Sequence, residues 1–217
     1  MPSRIILVMA VAFTLVHERS RGEILDRIAV TVARQVIAES DVIRDLRVSA
    51  FLDQKPVDLS GAEKRKAADR LVDQLLILQE ITFSRFKIDA DPDVASMLVE
   101  VKRQYGGDPE YQAALAKARI TEPELVEHLA AGVRSLRFTD LRFKPEVEIT
   151  DDDLRDAYNK FVDDARKKES TKIPTFEAAH DDLEKLVVAQ RISQALDRWL
   201  GAQRTQTEIL YRDQVFK

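Results

Sequence analysis

The chain has 217 residues, of which 45% are hydrophobic and 33% are charged; this suffices for one large domain with its own core. With only 6 glycines and 7 prolines, the composition excludes collagen-like and low-complexity classes and favours long helices. A net charge of −4 argues against nucleic-acid binding, and the absence of cysteine excludes disulfides, thiolate catalysis and cysteine-ligated zinc.

A short apolar run opens the chain. Arg4 precedes twelve uncharged residues, 5–16, which are too few to span a bilayer but suit the apolar region of a signal peptide. Ser20 and Gly22 form a small-x-small cleavage site. We therefore predict a signal peptide over residues 1–22, a periplasmic location and no stable membrane insertion. The alternatives are a buried N-terminal helix or strand, or a wrongly chosen start codon.

The next segment predicts a β-hairpin followed by a first helix. Residues 28–32 are rich in β-branched side chains, and Val36 and Ile37 resume the pattern after a turn that lacks Asn-Gly. Ser40 is the expected N-cap of the first helix, because serine accepts a hydrogen bond from a free N–H in the first turn. Pro56 is expected to end that helix.

Further helices are predicted from their start signals. Some begin with a capping box or an N-cap threonine, and others have proline at the first position. The signals are Ser60/Glu63, Asp91-Pro92, Asp108-Pro109, Thr121/Glu124, Thr150-Asp151 and Pro174-Thr175-Phe176. Residues 207–211 predict a closing strand. The predicted fold class is mostly α, a multi-helix domain with a small sheet formed by the N- and C-terminal segments.

Motifs that could carry chemistry are weak. No histidine is predicted to have a His or Glu partner at metal-ligand spacing on its helix face; the three are His17, His128 and His180. The Asp89-x-Asp91-x-Asp93 pattern resembles a calcium loop but has Val94 where a glycine must turn the chain. Ser84-x-x-Lys87 lacks the companion motifs of serine acylases. We therefore predict no catalytic residue, no cofactor and no metal, and no enzyme.

Apolar side chains on amphipathic helices are the remaining candidates for function. Most aromatic residues are expected in the core. Some are nevertheless predicted to line a groove for unfolded polypeptides, since exposed apolar patches mark interaction sites. The candidate client-binding residues are Phe51, Phe83, Phe86, Met97, Tyr105 and Tyr111.

Several segments, in order, resemble the SurA-like family of periplasmic chaperones and parvulin-type prolyl isomerases. They match that family's N-terminal hairpin and first helix, its long second helix, the joint before its isomerase domain, and its returning C-terminal helix and strand. The segments are residues 25–32, 36–42, 71–80, 147–154 with Tyr158, and 176–209. Unlike these relatives, the hairpin turn lacks the family's usual asparagine.

The resemblance also implies a missing domain. In relatives, a parvulin domain of about 100 residues, an ordinary domain size, separates the last two segments. In this sequence residues 162–174 are expected to form a linker in its place, between an N-terminal helical domain at 23–161 and a C-terminal helix and strand at 175–217.

The predicted function is that of a periplasmic, ATP-independent holdase whose partners are unfolded outer-membrane or secreted proteins. Two alternatives remain open at the sequence level. One is a non-catalytic scaffold or assembly subunit that binds one folded partner. The other is a vestigial prolyl isomerase homologue, against which the missing domain argues.

Overall fold

The computed structural model describes residues 26–84, 86–89, 92–168 and 172–217, so the predicted signal peptide lies outside the described residues. The described chain is mostly helical with one small antiparallel sheet, as predicted. The elements are β1 (Ile28–Val32), β2 (Gln35–Ala38), α1 (Glu39–Leu52), α2 (Gly61–Phe83), α3 (Ala95–Gln104), α4 (Asp108–Ala118), α5 (Glu122–Phe143), α6 (Asp151–Lys167), α7 (Phe176–Gln206) and β3 (Ile209–Tyr211).

The sheet joins the two ends of the chain. Its strand order is β2-β1-β3, with β1 antiparallel to both neighbours. The hairpin turn between β1 and β2 holds Ala33 at a positive φ of 50°. The prediction that N- and C-terminal segments share one sheet is confirmed.

Most predicted helix starts are confirmed by their caps. The hydroxyls of Ser60, Thr121, Thr150 and Thr175 each accept a hydrogen bond from the backbone N–H three residues later. Such caps satisfy donors that the first turn of a helix leaves free.

Two helix starts differ from the prediction. α1 begins at Glu39 with Ala38 as its N-cap, two residues earlier than expected, because the Asp41 carboxylate accepts a hydrogen bond from the Ala38 N–H at 2.9 Å. Ser40 lies inside the helix and bonds to Asp26 instead. α3 begins at Ala95 rather than at Pro92, and Asp93 accepts a hydrogen bond from the Ala95 N–H at 2.8 Å.

The buried apolar residues form four clusters. The first lies between the sheet, α1 and α2, and the second joins α1 to α3, α4 and α5. A third packs the C-terminal half of α7 onto α2 and α5 around Phe138. The fourth lies between α6 and the N-terminal half of α7. α7 therefore contacts the body of the protein with one half and α6 with the other.

Polar contacts also attach the C-terminal segment to α2. Arg204 donates hydrogen bonds to the Asp73 carboxylate at 2.8 Å and to the Asp69 carbonyl at 2.9 Å. The Tyr211 hydroxyl bonds to the Asp69 side chain. Lys64 pairs with the nearly buried Glu39 at 3.1 Å and donates to the Val215 carbonyl. The returning segment is thus held by ion pairs as well as by apolar packing.

The predicted linker is partly helical. α6 continues to Lys167, so the expected boundary after Phe161 lies within a helix. The Tyr158 hydroxyl donates to the Pro174 carbonyl at 2.8 Å, and the rings of Tyr158 and Phe176 pack edge to face. α6 and α7 therefore form one helical hairpin. Among the described residues, no helix is both long and apolar enough to cross a membrane.

Candidate functional site: an apolar groove beside the sheet edge

A groove with a volume of about 470 Å³ lies between α1, α2 and α5, at the outer edge of β2. Its surface is mainly apolar. The principal apolar side chains are Val36, Val48, Leu71, Leu75, Leu78 and Ile81. Two of them are unusually exposed for their type, Val36 at 57% and Leu78 at 42%. The groove is therefore an open apolar surface within the size range of ligand-binding clefts.

The groove follows from unequal side-chain sizes on two neighbouring helices. Leu71, Leu75 and Leu78 lie on one face of α2, because residues three and four apart share a helix face. On the α5 side the groove is lined in part by Ala131 and Ser135, whose short side chains reach little of the space between the helices. A large apolar residue on α2 consequently stays partly open to solvent.

The border of the groove carries paired charges. Arg44 contacts Asp41 at 3.0 Å and Glu124 at 3.1 Å. Arg134 contacts Glu127 at 2.6 Å. The pKa of Glu124 lies below its usual value because the Thr121 N–H donates to it and Arg44 attracts it. Exposed ion pairs of this kind contribute little free energy, so they shape the border more than they stabilise it.

One buried carboxylate lies in the wall of the groove. The Asp45 side chain is 3% exposed and accepts a hydrogen bond from Arg70 at 2.6 Å. His128 Nδ1 lies 3.5 Å from the other Asp45 oxygen. Burial lowers the pKa of His128, which outweighs the attraction of Asp45, and Arg70 lowers it further. His128 is consequently uncharged at neutral pH, and the Asp45 charge is balanced by Arg70.

The structure places two of the predicted client-binding residues in the core. Phe51 is 5% exposed and Tyr111 is fully buried, so neither offers a surface to a client, and the prediction is wrong for both. The Phe51 ring stacks on Tyr105 with centroids 4.5 Å apart and meets Tyr111 edge to face at 6.1 Å. Tyr105 is half-buried in the same cluster, where its hydroxyl donates to the Phe51 carbonyl. These aromatic rings join α1 to α3 and α4.

The other three predicted residues lie elsewhere. Phe86 is half-buried, with its ring 6.1 Å from that of Phe138. Phe83 is 88% exposed and Met97 is 42% exposed, so both remain accessible, but neither lines the groove. The groove residues were missed because Leu71 and Leu75 have the spacing of an ordinary core stripe. Only the tertiary arrangement reveals that part of this stripe lacks a partner.

His180 belongs to a cluster of possible metal ligands on α7. His180, Asp181 and Glu184 bring their ligand atoms within 4.8 Å of one another on α7. The prediction that no histidine has a His or Glu partner at metal-ligand spacing on its helix face is therefore wrong for His180, and the spacing of four residues between His180 and Glu184 was the available signal. Both carboxylates are exposed, and exposed acidic groups of this kind are common without a metal.

No model of a known protein family matches the chain, and a search of curated proteins finds no match. The resemblance to SurA-like chaperones therefore rests on the sequence segments alone.

Proposed function

We propose that this protein is an ATP-independent holdase that binds short apolar segments of unfolded polypeptides in the groove between α1, α2 and α5. The groove has an apolar floor formed by Leu71, Leu75 and Leu78 of α2. The observation that supports the proposal most is that this floor is open to solvent, with Leu78 and the neighbouring Val36 exposed. Apolar side chains of an unfolded chain could cover these residues and leave water, which is the main driving force for such binding.

The size of the groove supports weak and reversible binding. A volume of about 470 Å³ holds only a few side chains. Burying three apolar side chains would contribute about 4.5–9 kcal/mol, at about 1.5–3 kcal/mol each. Association and the ordering of a flexible segment offset much of this. A holdase needs this balance, since it must release its clients without ATP hydrolysis.

The charges at the border support broad specificity. Arg44 and Arg134 are already paired with carboxylates of the protein itself. A client therefore meets few unpaired charges that would demand a matching partner. Selection by apolar area and shape favours promiscuous binding over recognition of one folded partner.

The sequence supports the proposed location and mechanism. The predicted signal peptide would send the protein to the periplasm, where a chaperone must work without nucleotide. The resemblance to SurA-like chaperones covers the parts expected to hold clients and omits the isomerase domain. We therefore include in the proposal that the protein does not catalyse prolyl isomerisation, whose barrier of about 18–20 kcal/mol requires a dedicated site.

Light scattering of an unfolded outer-membrane porin, diluted from denaturant, tests the proposal. The wild-type protein should suppress aggregation at near-stoichiometric ratios, with no effect of nucleotide or metal chelator. Leu78→Asp should weaken suppression strongly because it puts a charge on the apolar floor. Leu186→Asp is the matched control, since Leu186 is also a helical leucine, 48% exposed, and does not line the groove.

Three outcomes would count against the proposal. Failure of the wild-type protein to suppress aggregation at excess would overturn it and favour the scaffold alternative. Equal losses for Leu78→Asp and Leu186→Asp would remove the groove as the binding site. Acceleration of proline-limited refolding by the pure protein would overturn the absence of isomerase activity.

A further inference from the structure

The free edge of the sheet runs along the groove, and the hydrogen bonds of β1 show which backbone groups it offers. The Ala33 N–H donates to the Glu208 carbonyl at 2.8 Å, and the Arg212 N–H donates to the Ala29 carbonyl at 2.9 Å. Odd-numbered residues of β1 therefore direct their backbone groups to β3. Successive residues of a strand direct their backbone groups to opposite sides, so Val30 and Val32 direct their N–H and C=O groups to β2.

The register then fixes the direction of the backbone groups of β2. Val30 pairs with Ile37 and Val32 pairs with Gln35, so Ile37 and Gln35 use their backbone groups within the sheet. Val36 and Ala38 point their backbone N–H and C=O groups away from the sheet. The Ala38 N–H is taken by the Asp41 carboxylate at 2.9 Å. Among the described residues no strand pairs with the outer edge of β2, so the N–H and C=O of Val36 face outward at that edge.

The apolar floor lies beside this edge. Val36 and Ile37 both line the groove together with Leu75 and Leu78 of α2. The Gln79 side chain donates to the Gln35 side chain at 2.8 Å, which holds this part of α2 beside β2. A strand added to the edge would pair one residue with Val36. Its neighbours on either side would project to the same face as Ile37, which is the face covered by α2.

The charges that line the groove limit the sequence of such a strand. Four carboxylates and two guanidinium groups line it, and His128 is uncharged. Arg70 balances the buried Asp45, which leaves a small excess of negative charge. An acidic segment is therefore disfavoured, and lysine or arginine outside the apolar positions is tolerated.

We propose that the groove takes its client as an added β-strand: an extended segment, apolar at alternate positions and uncharged or basic between them, hydrogen-bonded to the outward N–H and C=O of Val36. This rests on the proposed function and names the conformation and class of the client. Strand addition to an exposed sheet edge gives affinity through the main chain and selects side chains by adjacent pockets. A helical client would cover Val36 and leave both its backbone groups unpaired, which is costly when they are buried.

The discriminating variant is Val36→Pro. Proline lacks the N–H but is tolerated on an edge strand where that N–H faces outward, so the ladder to β1 should survive. Val36→Thr is the matched control, because it keeps the N–H and a β-branched side chain. The probe is a fluorescein-labelled ten-residue peptide that alternates valine with threonine and lysine, and its binding is measured by fluorescence anisotropy. Loss of a backbone hydrogen bond should weaken binding of this probe about tenfold for Val36→Pro.

Binding of the probe by Val36→Pro at wild-type affinity, with loss of binding in Leu78→Asp, would overturn strand addition while keeping the groove and the proposed function. Failure of the wild-type protein to suppress aggregation would instead overturn the proposed function itself. If Val36→Pro does not fold, the test uses the wild-type protein and two versions of the peptide, N-methylated at one or the other set of alternate residues. Only one of the two methylation patterns should abolish binding, and equal binding of both would overturn the proposal.

Discussion

Replacing Phe138 by alanine should weaken the attachment of α7 to the body of the protein. Phe138 is fully buried, and its ring lies 5.2 Å from Trp199, 5.9 Å from Phe143 and 6.1 Å from Phe86. Removing a buried phenylalanine side chain costs about 3–5 kcal/mol in free energy of unfolding. Each lost aromatic pair adds about 0.5–1.5 kcal/mol beyond the area effect, so the upper part of the range is expected.

Urea unfolding, followed by the fluorescence of the single tryptophan, measures this effect directly because Trp199 belongs to the same cluster. For a chain of this length the loss corresponds to a fall in Tm of about 6–20 °C. Phe83→Ala is the matched control, since Phe83 is 88% exposed and its removal should change stability by less than about 0.5 kcal/mol. A cost below about 1 kcal/mol for Phe138→Ala, or equal costs for both variants, would refute the reasoning.

Three further perturbations test other parts of the structure. A Cβ at Gly61 would lie 1.9 Å from the Phe216 carbonyl oxygen, so Gly61→Ala should lower the free energy of unfolding by about 1–3 kcal/mol, measured in thermal melts. A Cβ at Gly201 would have nothing within 4 Å, so Gly201→Ala should stabilise the protein by up to about 1 kcal/mol. Equal effects of the two substitutions would contradict this. Burial lowers the pKa of His128 below 6.5, so the unfolded chain takes up that proton first and stability should fall as the pH drops below 6.5. His128→Gln should reduce that fall in urea titrations, and an unchanged slope would argue against it. Deleting residues 175–217 removes β3 and the α7 side chains that pack on Phe138, so circular dichroism should show loss of cooperative melting. A Tm equal to that of the full chain would contradict the described packing.

Local signals in the sequence predicted much of the fold because they act over a few residues. The predicted helix starts at Ser60, Thr121 and Thr150 are confirmed. The predicted capping box forms in full at Thr121, whereas at Ser60 only the serine hydroxyl caps the helix, because the Ser60 N–H donates to Asp58 instead of Glu63. The start of α1 was misplaced because two capping side chains compete there. The Asp41 carboxylate accepts from the Ala38 N–H, while the Ser40 hydroxyl donates to Asp26, which lies 14 residues away in the chain. Such a choice depends on a tertiary contact.

The candidate site was harder to predict because it is a space between helices that no side chain fills. Tyr111 and Leu78 both have the spacing of core residues in their helices, yet one is fully buried and the other is 42% exposed. The difference arises on α5, where Ala131 and Ser135 line the groove with short side chains. A single sequence shows the small residues and the large ones, but not which of them face each other.

The sheet edge illustrates the same limit. Alternation predicted that β1 and β2 form a hairpin, but not which residues of β2 point their backbone groups outward. That follows from the hydrogen bonds between β1 and β3, which involve residues far apart in the chain. The free edge and the apolar face of α2 become neighbours only once α2 packs beside the hairpin, where the Gln79 side chain donates to the Gln35 side chain.

Site-specific photo-cross-linking tests most directly whether the groove holds unfolded clients. Benzoylphenylalanine is placed at Leu78 on the groove floor or, as the control, at the similarly exposed Leu186 on α7. Each variant is mixed with unfolded porin during dilution from denaturant and irradiated. Efficient cross-linking from position 78 and little from position 186 is expected. Equal cross-linking from both positions, or cross-linking from position 186 alone, would contradict the groove as the client-binding site.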